Sequence, residues 1–350
     1  MFFTTKKEII GIDIGSSSVK AVQLREAKGV WHLQNLGVVP LPAEAIVDNT
    51  LMDSSSVVEA TKNLLKSLNS KAKDVSSSVS GNSIIIRKIL LPTMTQEELD
   101  DQIQWEAEQY IPFDINDVHI DFQILNPDDR DPSKMSVLLA ASKKDIVNDY
   151  VAVFNEAGLK LMVMDVDAFA VPNAFELNYE VDQEEVSALI NIGASIMNIN
   201  IVKGGLSLFT RDVQMGGNLY TEEIQKQFSI RSDNAERIKL TRDTTDPDRL
   251  QSCLARVNET LSMEIRRSLD FYNSTATDGK IDKVFLSGGC AKIPLLTDSI
   301  GERLGLPVEI INPFQKVICN DKEFDPEYLQ EMGPIVTVAV GLAIRRLGDK

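Results

Sequence analysis

One internal repeat limits the possible folds of this chain more than any other feature of its sequence. The first copy, IIGIDIGSSSVKAVQL, covers residues 9–24, and the second, ALINIGASIMNINIV, covers residues 188–202. Each copy has an apolar strand, an Asp or Asn, a glycine with small residues after it, and a second strand. This pattern predicts two related β-hairpins. Because the chain has 350 residues, we expect two α/β lobes, each built around one hairpin.

The turns of both hairpins have a composition suited to binding phosphate. Glycine lets the backbone approach a ligand closely, so that N–H groups can point at phosphate oxygens. In the first turn, hydroxyl groups would add donors, an ammonium group could reach the same charges, and a carboxylate could hold Mg²⁺ through water. The residues concerned are Asp13, Gly15, Ser16, Ser17, Ser18 and Lys20 in the first hairpin, and Asn191, Gly193, Ala194 and Ser195 in the second. Two such hairpins facing each other would clamp a phosphate chain.

Hydrophobic periodicity and turn signals predict the other elements. We expect a helix near 55–68 capped by Ser54 or Ser55, and a second from a Thr95–Glu98 capping box to about Tyr110. Residues 93–160 have the order strand, helix, strand, strand, helix, strand, which indicates a small α+β unit. In the second half we predict a strand at 204–213, helices at 217–227, 232–239 and 247–275, a strand with a glycine turn at 284–289, and an apolar helix at 333–348.

Charge and cysteine content disfavour several classes of function. The net charge is −16, and no block of Lys and Arg could form a nucleic-acid-binding face. The same charge disfavours direct contact with an anionic membrane surface. The three cysteines have no metal-binding spacing, the N-terminus lacks a signal-peptide pattern, and no apolar stretch is long enough to span a bilayer. We therefore expect a cytoplasmic protein.

The same segments resemble the actin, sugar-kinase and heat-shock-chaperone superfamily of ATP-binding folds. The two hairpins resemble its phosphate loops, and VMDVDAFAVPNAF (163–175) and GPIVTVAVGLAIR (333–345) resemble its connecting helices. VFLSGGCAKIPLL (284–296) resembles its adenosine loop, and MGGNLYTEEI with NAERIKL (215–224, 234–240) resembles the part that contacts adenosine. The resemblance implies ATP or ADP with Mg²⁺ as the ligand, and it adds Gly216, Gly217, Glu236, Lys239, Gly288, Gly289, Cys290 and Lys292 to the candidate site.

Within the superfamily, the inserted unit is similar to that of the FtsA and PilM branch. EAEQYIPF and LLAASKKDIV are close to signature segments of the PilM family of type IV pilus assembly proteins. FtsA-like proteins continue into an amphipathic membrane helix, whereas here we expect membrane attachment through a partner. The resemblance implies an adaptor of the pilus inner-membrane platform that binds the cytoplasmic tail of PilN, with other platform components or a second copy as further partners.

The resemblance also predicts domain limits and a partner groove. The first lobe would comprise 1–84, 160–186 and about 333–350; the inserted subdomain, 85–159; the second-lobe core, 187–203 and 281–332; and a peripheral subdomain, 204–280. The PilN tail would lie in a groove between the inserted subdomain and the first lobe, where an extended peptide could pair with the backbone. Apolar candidates for that groove are Ile84, Ile86, Ile89, Ile103, Ile111 and Phe113.

Hydrolysis in the superfamily uses carboxylates from both phosphate loops. Here the second loop has Asn191 where Asp is usual, and Ala194 also lacks a carboxylate. Loss of a general base typically slows a reaction by about 10²–10⁴, so we predict ATP binding with slow turnover and a role as a switch. Two other interpretations remain open at this stage, an FtsA-like division protein and a small-molecule kinase.

Overall fold

A computed structural model describes residues 8–127, 131–276 and 279–349. The strands are β1 (Ile10–Ile14), β2 (Ser18–Ala27), β3 (Val30–Pro40), β4 (Ile46–Val47), β5 (Thr50–Leu51), β6 (Asp74–Val79), β7 (Ile84–Pro92), β8 (Val118–Pro127), β9 (Lys134–Lys143), β10 (Lys160–Val166), β11 (Val186–Ile192), β12 (Met197–Lys203), β13 (Leu206–Val213), β14 (Lys283–Ser287) and β15 (Val308–Ile310). The helices are α1 (Ser54–Leu68), α2 (Gln96–Ala107), α3 (Lys144–Glu156), α4 (Asp167–Asn178), α5 (Asn218–Phe228), α6 (Ser232–Thr241), α7 (Pro247–Thr275), α8 (Leu296–Leu304), α9 (Pro326–Met332) and α10 (Thr337–Ala343).

The first lobe is built on a five-stranded sheet in the order β10-β6-β1-β2-β3. β1, β2 and β3 form an antiparallel meander, while β6 runs parallel to both β1 and β10. All five residues of β1 are buried, because helices cover both faces of the sheet, as is usual where parallel strands occur. α1 begins at an N-cap of Asp53, which accepts a hydrogen bond from the backbone N–H of Ser56 at 3.0 Å. The prediction of Ser54 or Ser55 as the N-cap is therefore wrong by one or two positions, because the side chain of Asp53 caps the helix.

The second lobe repeats this plan. Its sheet has the order β13-β12-β11-β14-β15, with an antiparallel meander from β11 to β13 and with β14 parallel to β11. The strands share one buried cluster with α5, α6, α7 and α8. The internal repeat thus corresponds to the first two strands of two similar sheets, and the predicted two-lobe α/β arrangement is confirmed.

Two helices, α4 and α10, lie between the lobes and pack closely. A Cβ added to Gly341 of α10 would lie 1.8 Å from the carbonyl oxygen of Ala170 in α4, and one added to Gly11 of β1 would lie 2.2 Å from that of Ala339. A buried cluster joins α4 and α10 to Leu189 of the second-lobe sheet. These contacts fix the lobes around one hydrophobic centre.

The inserted unit consists of a three-stranded antiparallel sheet, β7-β9-β8, covered by α2. Its core is formed by buried residues between Ile89 and Ala141. The buried side chains of α3, such as Phe154, pack instead in the first-lobe core. In the same way β13 belongs to the main sheet of the second lobe. We propose domain limits that follow this packing, with the inserted unit ending near Lys143 and β13 assigned to the second-lobe core.

Candidate functional site

The tips of the two repeated hairpins meet where the lobes face each other. The hydroxyl of Ser195, after β11, donates a hydrogen bond to the hydroxyl of Ser16, after β1, at 2.7 Å. Each turn is closed by its own glycine. Gly15 N–H donates to the carbonyl of Ser18 at 3.1 Å, and Gly193 N–H donates to that of Ile196 at 2.9 Å. The sequence repeat therefore brings its two polar turns into direct contact.

Several backbone donors at these tips are available to an anion. Among the described residues, the N–H groups of Ser16, Ser17, Ala194 and Ser195 donate to no backbone acceptor. Successive free N–H groups in a tight turn form an anion-binding concavity. The residues present therefore fit a phosphate group, which the two turns would contact from opposite lobes.

The first hairpin also holds an ion pair between Lys20 and Asp13. The ammonium nitrogen lies 2.9 Å from Asp13 Oδ2, and both side chains are largely buried. β1 and β2 place these residues directly opposite each other in register. Lys20 would reach a phosphate, as predicted, only by sharing or leaving this contact. The described residues contain no cluster of three or more His, Cys, Asp or Glu that could hold a metal ion.

The segments predicted by resemblance to contact adenosine, 215–224, 234–240 and 284–296, lie beside the second hairpin. Gly217 N–H donates to the carbonyl of Gly193 at 2.9 Å, and Cys290 Sγ lies 3.5 Å from the same oxygen. A Cβ at Gly216 would lie 2.5 Å from that oxygen, and Gly288, with φ of +87°, packs against Ile192. Burial raises the pKa of the Cys290 thiol to about 12, so that the thiol is neutral and serves as packing.

Lys239 and Glu236 lie beside this convergence. The ammonium group of Lys239 is buried, 2.6 Å from Glu236 Oε2, and it donates to Thr221 Oγ1 at 3.0 Å and to the carbonyl of Gly217 at 3.3 Å. A buried lysine needs such partners because desolvation of an unpaired charge is costly. Gly289 and Lys292 are exposed nearby, and Lys292 has no hydrogen bond or ion pair with the described residues.

Asn191 has a structural role that explains an amide at this position. Its Nδ2 donates to Asn198 Oδ1 at 3.2 Å, and its Oδ1 accepts from the hydroxyl of Ser287 at 3.2 Å. Asn198 in turn donates to Asp212 Oδ1 at 2.8 Å. An amide can donate on one side and accept on the other, so Asn191 links Asn198 of β12 to Ser287 of β14, whereas an ionised carboxylate has no N–H to donate to Asn198 Oδ1.

Two carboxylates that the sequence analysis did not single out, Asp167 and Asp212, lie near the hairpins, and the charges of both Asp13 and Asp212 act on Asp167. Asp167 opens α4 and accepts a hydrogen bond from the hydroxyl of Ser78 at 2.5 Å. Burial raises the pKa of Asp167 to about 7, and the charges of Asp13 and Asp212 add to the effect. A signal was available, because Asp167 follows β10, and β10, β6 and β1 run in parallel and end at the same edge of the sheet.

Asp212 also connects the two lobes. Its Oδ2 accepts a hydrogen bond at 2.6 Å from the backbone N–H of Gly81, which lies just before β7 of the inserted unit. Gly81 has φ of +89°, and a Cβ there would lie 3.3 Å from Ile196 Cδ1 of the second hairpin. The second lobe therefore contacts the point where the chain enters the inserted unit.

The six residues predicted for a partner groove fall into two groups. Three of them, Ile89, Ile103 and Ile111, are buried in the core of the inserted unit, so a partner cannot touch them in this conformation. Ile84 and Ile86 are partly buried against the first-lobe core, at the boundary between the two units. Phe113 is partly buried, with Lys143 Nζ 4.4 Å from its ring centroid.

Comparisons with known proteins identify the family and the fold. The model of the family described as type IV pilus assembly protein PilM matches residues 11–347. A solved structure described as the PilM–PilN type IV pilus biogenesis complex is 30% identical, covers 97% of this chain and 98% of its own, and superposes with a TM-score of 0.86. The ethanolamine utilization protein EutJ from Carboxydothermus hydrogenoformans is 13% identical, with coverage of 96% and 89% and a TM-score of 0.57, which supports the fold alone.

Cell division proteins are more distant relatives. FtsA of Escherichia coli K12 is 24% identical over 259 residues, which are 68% of this chain and 61% of that protein. FtsA of Streptococcus pneumoniae is 22% identical over 357 residues, 89% of this chain and 76% of that protein. The chain thus spans less than two thirds of the Escherichia coli protein. The fold is the actin-like two-lobe fold with the predicted insertion.

Within the described residues no helix is long and apolar enough to cross a membrane.

Proposed function

This chain belongs to the family of type IV pilus assembly protein PilM, and on that premise we propose that it is a nucleotide-binding adaptor of the pilus inner-membrane platform. It would reside in the cytoplasm, bind ATP or ADP with Mg²⁺, and bind the cytoplasmic tail of a PilN-type membrane protein. The similar structure, described as a PilM–PilN complex, supports the choice of partner.

The observation that carries the proposal is the contact between the two hairpin tips. Ser16 and Ser195 come from different lobes, yet their hydroxyl oxygens are 2.7 Å apart, with free N–H groups on both sides. A phosphate chain inserted there would contact both lobes at once. A ligand that bridges two bodies favours their closed arrangement by the difference between its affinities for the two states.

The path from the nucleotide to the partner would run through Asp212. This side chain holds Gly81 N–H at 2.6 Å and Asn198 at 2.8 Å. Gly81 lies three residues before Ile84, the first residue of β7, and Ile84 and Ile86 lie at the boundary with the first lobe. A change in lobe closure would therefore move the strand that lines the proposed partner groove.

Calorimetric titration with the tail peptide of the PilN-type partner, with and without Mg-ATP, tests the proposal. We expect one-to-one binding, with an affinity that changes when nucleotide is present. By linkage, saturating peptide must change nucleotide affinity by the same factor. Folded protein that binds neither ligand would refute the adaptor role, whereas peptide binding without nucleotide dependence would refute only the switch.

Lys20→Ala provides a matched control for this titration. The variant removes the only ammonium group of the first hairpin and leaves the proposed peptide groove unchanged. We expect it to bind peptide as the nucleotide-free native protein does, and to lose the response to Mg-ATP.

Slow hydrolysis of the bound nucleotide is a second candidate function. Asp167 favours it, because a carboxylate whose pKa is raised to about 7 is suited to accept a proton from water near neutral pH. Asn191 offers no second carboxylate, so we propose turnover well below about 1 s⁻¹. Steady-state assays of the native protein and Asp167→Asn test this. Equal rates would exclude Asp167 as the base, and a native rate above that value would refute slow turnover.

A further inference from the structure

The most exposed large apolar side chain of the described residues is a tryptophan. Trp105, on α2 of the inserted unit, has 85% of its surface exposed. Burial of a tryptophan contributes a large apolar area, and exposed aromatic side chains are uncommon outside interaction sites. Nothing in the folding of the inserted unit accounts for Trp105, since the core of that unit is formed by other residues.

The position of Trp105 on α2 points it away from that core. The buried residues of α2 are Leu99, Ile103 and Ala107, spaced four apart on one face. Trp105 follows Ile103 by two positions, which is about 200° around a helix of 3.6 residues per turn. Trp105 therefore lies on the opposite face of α2 from the buried residues.

The charged residues on the same face of α2 as Trp105 are acidic. Asp101 and Glu108, at positions i−4 and i+3, share its face and are exposed. Residues 96–117 contain eight Asp and Glu, and no Lys or Arg occurs between Lys88 and Arg130. Neither Asp101 nor Glu108 has an ion pair with the described residues. A helix face without its own counter-charges is complementary to a basic ligand.

We propose that Trp105, Asp101 and Glu108 form a docking surface for a Lys- and Arg-rich cytoplasmic segment that adjoins the membrane span of the partner. This inference rests on the proposed adaptor function. Cytoplasmic segments beside membrane spans carry an excess of Lys and Arg, and a guanidinium or ammonium group can stack on the face of an indole ring. The tail would thus have two contacts, its end in the groove and its basic segment on α2.

Two other occupants fit this surface less well. A second copy of this chain carries a net charge of −16, and like charges would oppose its approach to an acidic face. An anionic lipid surface would be repelled for the same reason. Both remain outcomes that the experiment can detect.

The experiment uses Trp105 as its own reporter. The chain has two tryptophans, Trp31 and Trp105. The background substitution Trp31→Phe therefore leaves Trp105 as the single source of tryptophan fluorescence. The probes are the complete cytoplasmic segment of the PilN-type partner, up to its membrane span, and the same peptide with every Lys and Arg replaced by Gln. Fluorescence and calorimetry are recorded for both. Calorimetry then compares three variants: Trp105→Ala, the double variant Asp101→Asn with Glu108→Gln, and the control Phe271→Ala. Phe271 is an aromatic residue of α7 that is 57% exposed.

We expect the native segment to change Trp105 emission, and Trp105→Ala to weaken its binding about fivefold to tenfold. The Gln-substituted peptide should bind with the weakened affinity and leave the emission unchanged. The double charge variant should lose part of the affinity and part of its salt dependence, while Phe271→Ala should bind normally.

Other results would overturn the docking surface. Tight binding of the native segment with unchanged emission and no effect of Trp105→Ala would refute it and leave the adaptor function intact. Failure of every peptide to bind would refute both. Emission that changes with protein concentration alone, or on addition of anionic vesicles without peptide, would assign the surface to a second copy or to lipid and so refute a peptide occupant.

Discussion

Asp167→Asn tests whether the cleft between the lobes holds a carboxylate that is costly to ionise. Burial, followed by the charge of Asp13, raises the pKa of Asp167 from an ordinary value of 3.8 to about 7. At 1.36 kcal/mol for each pH unit, ionising this side chain in the folded protein costs about 4 kcal/mol more than in the unfolded chain. Asparagine keeps an acceptor for the hydroxyl of Ser78 and carries no charge.

The direction of the effect follows from proton linkage. The folded-state pKa lies above the unfolded value, so the folded protein binds the proton more tightly. The stabilisation is therefore complete below about pH 4 and is lost as the pH rises towards and through about 7. Asp167→Asn removes this dependence, so the variant should match the native protein near pH 4, gain on it steadily up to about pH 7, and exceed it by the full amount at pH 8.

Thermal melting between pH 4 and pH 8 measures the difference. For a chain of this length, about 4 kcal/mol corresponds to a rise in melting temperature of about 5–10 °C at pH 8. Asp145→Asn is the matched control, because Asp145 lies in the first turn of α3 but is exposed. Equal pH slopes for the native protein and Asp167→Asn would refute the reasoning, and so would a variant that is less stable at every pH.

Three further substitutions have definite expected outcomes. Gly216→Ala would place a Cβ 2.5 Å from the Gly193 carbonyl, so nucleotide affinity should fall at least about tenfold in a fluorescent-nucleotide titration, with circular dichroism unchanged. Asp212→Asn should leave separate nucleotide and peptide binding in place but reduce their coupling towards a factor of about 1, measured by calorimetry; undiminished coupling would exclude this path. Gly341→Ala, with a Cβ 1.8 Å from the carbonyl of Ala170, should destabilise the fold by about 3 kcal/mol or more in denaturant unfolding, and a native-like midpoint would contradict the packing described for α4 and α10.

The elements that sequence analysis predicted share local signals. The hairpins were predictable because alternation and glycine turns lie within about fifteen residues, and α2 because Thr95 and Glu98 form the capping box directly. The convergence of Gly193, Gly217 and Cys290 was predicted only through family resemblance, since these residues lie far apart in the chain. Their contacts support that prediction, and the binding of nucleotide to them stays a proposal.

β6 shows why another part of the fold was missed. Its sequence, DVSSSV, is polar, yet every residue of the strand is buried. The hydroxyl of Ser77 donates to the carbonyl of Ile12 at 2.7 Å, and that of Ser76 donates to the carbonyl of Leu342 at 2.5 Å. Small hydroxyl side chains permit the close packing of β1 and α10 and find acceptors there. Such acceptors come from distant residues, so a serine run in the sequence alone indicates a loop.

The carboxylates of the cleft give the proposed Mg²⁺ ion an electrostatic role in nucleotide binding. The charges of Asp13 and Asp212 both act on Asp167, and Lys20 is already paired with Asp13 at 2.9 Å. Phosphate groups alone would therefore bring negative charge to a site that is itself negative. A cation that arrives with the phosphates reverses the sign of this interaction, and it would at the same time favour the ionised form of Asp167. The proposed ligand and the raised pKa are thus linked. Burial is the main reason that Asp167 holds its proton in the free protein, and the charge of Asp13, which adds to it, is one that Mg²⁺ would offset in the bound protein.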